Sequence, residues 1–213
     1  MPSAVVILGR ADKICENLCM HLAHCGRKLI LVSDDLELLQ NNVAQLEEEG
    51  AQVFGIFQDF GDVDAEELVA RKILALDTFV DTLICYVYQV HTPLATQNPF
   101  PSGLNNAFLF YLSQYLVERA AFHEGSRIVI ISAPKKQELF VVQMLRRIYG
   151  QYQVTTVCPP PPEKATPDYA AAVIYSSIMQ GKRMVVSGIK NWLQVMISAV
   201  SYSSVVESDL IVR

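Results

Sequence analysis

Ala4-Val5-Val6-Ile7-Leu8-Gly9-Arg10-Ala11-Asp12-Lys13-Ile14-Cys15 is the stretch that decides how this chain is read. Residues 4–8 are apolar, a short run of the length of a buried strand, and Gly9 ends them. A helical stretch follows from about Asp12 to His24, with Gly26 as its stop. A second apolar run, Lys28-Leu29-Ile30-Leu31-Val32-Ser33, completes the unit. Strand, glycine turn, helix and strand form a βαβ unit. Parallel strands joined in this way are covered on both faces, which explains why both runs are apolar throughout rather than alternating.

The same alternation continues along the chain. Further strands are predicted over 52–57, 82–87, 127–131, 153–157 and 183–186. Between them, a helix over 35–48 places Leu36, Leu39, Val43 and Leu46 on one face and stops at Gly50. Another starts at Asp64, where Glu67 three residues on fits a capping box. Two more span 103–123 and 137–149. The last has Thr166 as N-cap, Pro167 in its first turn and Gly181 at its end. The pattern predicts an α/β chain, a Rossmann-like doubly wound parallel sheet of about seven strands with helices on both faces. No linker divides it, so residues 1–190 read as a single domain. The tail over 191–213 carries Trp192, Val195, Met196, Ala199 and Tyr202 at helical spacing, and is expected to dock on the domain, on a partner or on a membrane surface.

Composition limits the function. The chain has 213 residues, 51% of them hydrophobic, which is ample for one core. Net charge is −5, which argues against nucleic acid as a partner. Five cysteines, an odd number, read as reduced thiols of an intracellular protein, cytoplasmic or organellar. Cys15 and Cys19 share a helix face near His21, His24 and Cys25, but no second ligand pair accompanies them. Packed thiols are therefore preferred to a metal site. No signal peptide precedes the first strand, and no apolar run reaches membrane-spanning length. A peripheral membrane contact through 191–206 is left open. The helix over 103–123 is apolar nearly all round (Leu104, Phe108, Leu109, Phe110, Tyr111, Leu112), and 137–149 is also rich in apolar residues. These two helices are expected to bury themselves against a protein partner or a second copy.

In order and spacing the chain resembles a short-chain dehydrogenase/reductase over nearly its whole length. Gly9 falls on the first glycine of the family's TGxxxGxG turn, and Asp59 on the aspartate after the third strand. Val80-Asp81-Thr82-Leu83-Ile84 leads towards the position of the NNAG motif. Asn105 falls on the structural asparagine, and Arg127–Ser132 on the strand before the catalytic serine. The C-terminal part, from Val157–Pro162 through Gln180-Gly181-Lys182, is similar to the 3-ketodihydrosphingosine reductase branch. The resemblance implies a nicotinamide cofactor held by Gly9, Ile14, Asp34 and Asp59. Asp34, which ends the second strand, would favour NAD(H) over NADP(H) by repelling a 2′-phosphate. The plainer reading of Ser33-Asp34-Asp35 is a helix cap.

The departures from the family pattern bear on chemistry. Lys13 and Cys15 stand where the second and third glycines belong, and a lysine there is read as crowding the phosphate approach or as solvated. Cys85-Tyr86-Val87-Tyr88 replaces NNAG. The catalytic serine aligns with Ala133; Ser132 lies one residue early, and on a strand that reverses its direction. The family's Tyr-x-x-x-Lys pair, in which lysine lowers the tyrosine's pKa for proton transfer, is missing: no tyrosine here has a lysine four residues later. Asn105 and Ser132 read as vestiges. The sequence therefore predicts a non-catalytic member that serves as a structural or regulatory subunit, with no cofactor expected. The alternative is an NAD(P)-dependent oxidoreductase or cofactor sensor acting on a carbonyl or lipid-type substrate.

Overall fold

The computed structural model describes residues 3–9, 12–86, 106–132, 145–146, 150–160, 165–187 and 210–212. Its core is a parallel sheet of β1 (Ser3–Gly9), β2 (Lys28–Ser33), β3 (Val53–Phe57), β4 (Phe79–Tyr86), β5 (Phe122–Ile131), β6 (Gln153–Cys158), β7 (Met184–Val186) and β8 (Leu210–Val212). The spatial order is β3-β2-β1-β4-β5-β6-β7-β8, and every pairing is parallel. The chain winds outward from β1 to β3, then crosses back to β4 and winds the other way. The order therefore reverses between β1 and β4, and their carboxyl ends frame the crevice where doubly wound folds bind ligands.

The expected architecture is present. An eighth strand, β8, adds a short edge beside β7. The expected tail thus ends as a strand, while 188–209, including the segment weighed for membrane contact, lies outside the described residues. No described helix is long and apolar enough to cross a membrane.

Among the described residues, five helices cover the sheet: α1 (Lys13–His24), α2 (Leu36–Glu48), α3 (Ala65–Leu74), α4 (Asn106–Glu118) and α5 (Pro167–Met179). Strand parity divides them between the faces. Val5, Ile7, Ile84, Tyr86, Val129 and Ile131 pack with α1, α2 and α5. Val6, Leu8, Leu83, Cys85, Ile128 and Ile130 pack with α3, α4 and Leu145. The caps explain several boundaries. Asp35 accepts the Leu38 N–H at 3.0 Å, and Thr166 accepts the Tyr169 N–H at 3.3 Å, with Pro167 behind it as expected. The reading of Ser33-Asp34-Asp35 as a cap holds in part: Ser33 Oγ also accepts the Asp35 N–H at 3.2 Å.

Other expectations are corrected. The capping box at Asp64 does not form. Asp64 adopts φ 59° with no side-chain cap bond, and Glu67 instead accepts from Arg71 and from the Tyr115 hydroxyl. The helix expected over 103–123 stops at Glu118. Ala120 takes the left-handed conformation, φ 54°, and the Ala121 N–H reaches back to the Leu116 carbonyl at 2.9 Å, a helix-ending pattern usually built on glycine. Strand β5 then begins at Phe122, and its register with β4 shifts between Val80 and Thr82. One side of α4 stays uncovered within this single chain. Phe108, Leu109, Leu112 and Leu116 are buried, but Tyr111 is 48% exposed. Of the helix expected over 137–149, residues 145–146 are helical with Leu145 buried; the rest lies outside the described residues.

Candidate functional site

At the carboxyl ends of β1 and β4, the N-cap of α1 meets the last residue of β4. Gly9 sits opposite Tyr86 in the sheet at φ +138°, a conformation essentially reserved for glycine. A Cβ there would lie 2.4 Å from the Tyr86 carbonyl oxygen. Gly9 therefore allows β1 and β4 to close tightly just before the turn.

Asp12 caps α1. Its Oδ1 accepts the Ile14 N–H at 3.1 Å and the Cys15 N–H at 3.0 Å. Its Oδ2 accepts the Tyr86 hydroxyl at 3.1 Å. Tyr86 is 2% exposed and packs among the residues of the α1-side core, so the last residue of β4 is tied to the first turn of α1. The free N–H groups and positive dipole end of such a helix are what bind an anion in this position. Here a carboxylate of the chain itself receives two of those N–H groups.

The replaced glycines behave differently from one another. Lys13 is 63% exposed and pairs with Glu16 one turn along α1. It matches the solvated lysine of the two expected alternatives. Cys15 is buried with Cys19, Leu18 and Ile7. Its thiol pKa is raised well above the usual value, first by the hydrogen bond with Cys19 and then by burial. These are packed thiols. Among the described residues, no three His, Cys, Asp or Glu side chains converge to hold a metal.

The remaining candidates are dispersed. Asp34 lies half-buried between β2 and α2. Asp59 is exposed, and its carboxylate accepts the Gly61 N–H at 2.8 Å, so it braces the turn after β3. Ile14 is buried beneath α1 at 6% exposure, contributing its backbone N–H to Asp12 rather than a free donor. Ser132 is 1% exposed, with its N–H donated to the Val157 carbonyl at 3.1 Å. Asn105, Ala133, Val87 and Tyr88 lie outside the described residues. The structure thus brings Gly9, Ile14 and Tyr86 together around Asp12. Asp12 was not singled out as a site residue by sequence reasoning; the readable signal was an N-cap aspartate directly before an apolar helix.

No family model and no curated protein matches the sequence. Solved structures do match in fold. The ketone-specific alcohol dehydrogenase of Comamonas testosteroni aligns at 18% identity over 99% of this chain and 98% of its own, with a TM-score of 0.72. LigD of Sphingobium sp. strain SYK-6, in its apo form, aligns at 15% identity over 98% of both chains, with a TM-score of 0.74. A metagenomic short-chain oxidoreductase in complex with NADP aligns at 19% identity over 87% of this chain and 96% of its own, with a TM-score of 0.63. At these identities the likeness is one of fold.

Proposed function

We propose that this chain keeps a short-chain dehydrogenase/reductase fold without its hydride-transfer reaction, and works as a structural or regulatory subunit of a larger assembly. The observation that carries this reading is the Asp12 carboxylate seated on the Ile14 and Cys15 N–H groups. A pyrophosphate placed there meets a negative charge in place of two donors. On this reading the Asp12 carboxylate competes with the diphosphate of a nicotinamide cofactor for those two N–H groups. The missing Tyr-x-x-x-Lys pair removes the usual proton donor from the same cleft. The exposed face of α4, where Tyr111 stands beside Gln114 and Glu118, is the surface this reading gives to a protein partner.

A second reading is an NAD(P)-dependent oxidoreductase or cofactor sensor for a carbonyl or lipid-type substrate, working through residues other than that pair. It is favoured by the fold neighbours, which include an oxidoreductase solved with NADP and an archaeal alcohol dehydrogenase of Thermococcus sibiricus solved with 5-hydroxy-NADP. The sequence likeness to the 3-ketodihydrosphingosine reductase branch points the same way.

Two assays separate them. The full chain is incubated with NADH or NADPH and a panel of ketones that includes long-chain 3-keto amines, and the native mass of the gently extracted protein is measured. The subunit reading expects no steady cofactor oxidation and a mass well above that of a homodimer. Steady turnover that is lost on Ser132→Ala replaces it with the oxidoreductase reading.

A further inference from the structure

We propose that the open edge of β3 is a docking site for an extended, basic segment of a partner protein, which adds to the sheet as a further strand. The proposal rests on the subunit reading above and deepens it by naming the chemistry of one partner and the place where it binds.

β3 is the last strand on its side of the sheet. Two hydrogen bonds fix its ladder with β2. The Leu29 N–H reaches the Gln52 carbonyl at 2.8 Å, and the Gln58 N–H reaches the Ser33 carbonyl at 3.1 Å. In a parallel pair the residues that bond one neighbour alternate along the strand. Phe54 and Ile56 therefore bond β2, while Val53, Gly55 and Phe57 turn their backbone groups to the open side. Gly55, at the centre, is exposed. Edges of this kind are ordinarily blunted by a charge, a proline or a bulge. Val53-Phe54-Gly55-Ile56-Phe57 contains no charged residue and no proline, and it pairs with β2 in unbroken register. Of the eight large hydrophobic side chains exposed among the described residues, five stand on β3 or on the segments flanking it: Leu36, Phe54, Phe57, Val63 and Leu68. Single exposed apolar residues are ordinary, but such a concentration marks an interaction surface.

Charge names the occupant. Residues 34–74 hold 11 of the chain's 22 acidic residues and two of its 17 basic ones, Arg71 and Lys72, a net charge of −9 in a chain whose total is −5. Glu47, Glu48 and Glu49 lie at the end of α2, directly before β3, and Asp59, Asp62 and Asp64 follow it. Both ends of the edge are thus acidic. Two such edges repel one another, which disfavours a second copy of this chain docking through its own β3. The complement is a segment with apolar residues in its middle and cations at both ends, bound by main-chain hydrogen bonds to the open side. Two ammonium groups of the chain itself already display the match. Lys28 Nζ lies 4.9 Å over the Phe54 ring, and Lys72 Nζ donates at 2.9 Å to the Phe57 carbonyl, one of the groups on the open side.

The test adds a labelled synthetic peptide, alternating valine and threonine with paired arginines at each end, to the full chain and follows fluorescence anisotropy at low and at physiological salt. Two control peptides carry glutamates in place of the arginines, or a proline at the central position. Two variants alter exposed residues, Phe57→Lys and the triple Glu47→Lys/Glu48→Lys/Glu49→Lys, and circular dichroism that matches the wild type is required of at least one of them. The arginine peptide should bind the wild type saturably, more weakly as salt rises, and should move the Gly55 amide resonance. Both control peptides, and each folded variant, should lose at least ~10-fold in affinity, a change of about 1.4 kcal/mol. Equal binding of the proline peptide, equal binding by a folded variant, or an unmoved Gly55 resonance overturns the proposal. So does a failure to bind at millimolar peptide, or a dimer of the chain that Phe57→Lys dissolves. Those failures leave the subunit reading to its own assays, because that reading falls on carbonyl turnover and native mass, which the peptide does not touch.

Discussion

Replacing Gly9 with alanine probes how closely β1 and β4 meet at the crevice. Two costs are separable. The first is conformational: φ of +138° lies where side-chain-bearing residues are strained by about 1–3 kcal/mol. The second is steric: the new Cβ would sit 2.4 Å from the Tyr86 carbonyl oxygen and 3.0 Å from its Cβ. Backbone cannot swing aside as a flexible side chain can, so the end of β4 must retreat by about 1 Å to reach ordinary contact, a strain typical of overpacked sites at about 1–3 kcal/mol. Together they predict a loss of roughly 3–4 kcal/mol, which for a chain of this size lowers the melting temperature by about 10 °C. Gly26→Ala is the control. Gly26 also has positive φ, +71°, but nothing lies within 4 Å of its added Cβ, so it should lose only about 1 kcal/mol. Thermal melts of both variants, followed by circular dichroism, read the difference. A Gly9→Ala protein no less stable than Gly26→Ala would refute the close approach of β1 to β4.

Three further outcomes follow from other parts of the molecule. Ser126 is fully buried, accepts the His123 N–H at 3.0 Å and donates to the Val80 carbonyl at 2.7 Å; Ser126→Ala should cost about 1–3 kcal/mol in urea unfolding by orphaning both groups. Of the five free cysteines only Cys25 is exposed, so a thiol reagent should modify one cysteine rapidly in the native protein and all five after denaturation, with Cys25→Ser removing the fast reaction. The Tyr115 phenol is pushed above its ordinary value of 10, first by desolvation and then by the Glu67 carboxylate. Its contribution is therefore fully present below pH 10 and lost as pH rises above that, because the unfolded phenol ionises first. Ultraviolet titration should show Glu67→Gln bringing its ionisation to lower pH.

The sheet was legible in the sequence because its strands are continuous apolar runs between glycine and cap residues, and β2 was read to the residue. Boundaries failed where termination did not use the expected chemistry. Ala120 ends α4 in a conformation that glycine normally supplies, so the predicted helix ran on into β5. Asp64 looked like the start of a capping box, but its left-handed backbone turns the side chain out of reach of the helix N–H groups. Strand β8 is three residues long and was hidden in an apolar tail with helical spacing. At the site, Lys13 and Cys15 drew notice because glycines are expected there from the resemblance, yet Lys13 is exposed beside Glu16 and Cys15 is buried. Asp12 breaks no family glycine and passed as an ordinary residue. Its role depends on Tyr86, 74 residues away, and such a contact exists only once β1 and β4 are neighbours.

On the proposed reading, the chain's own carboxylate holds the N–H groups that would otherwise receive a dinucleotide's phosphate. Backbone amide NMR of the wild-type protein tests it most directly, by following the Ile14 and Cys15 N–H resonances as NADH and then NADPH are added to millimolar concentration. The account predicts that both resonances stay where they are while Asp12 remains in place. Saturable movement of those two resonances at micromolar cofactor would contradict it.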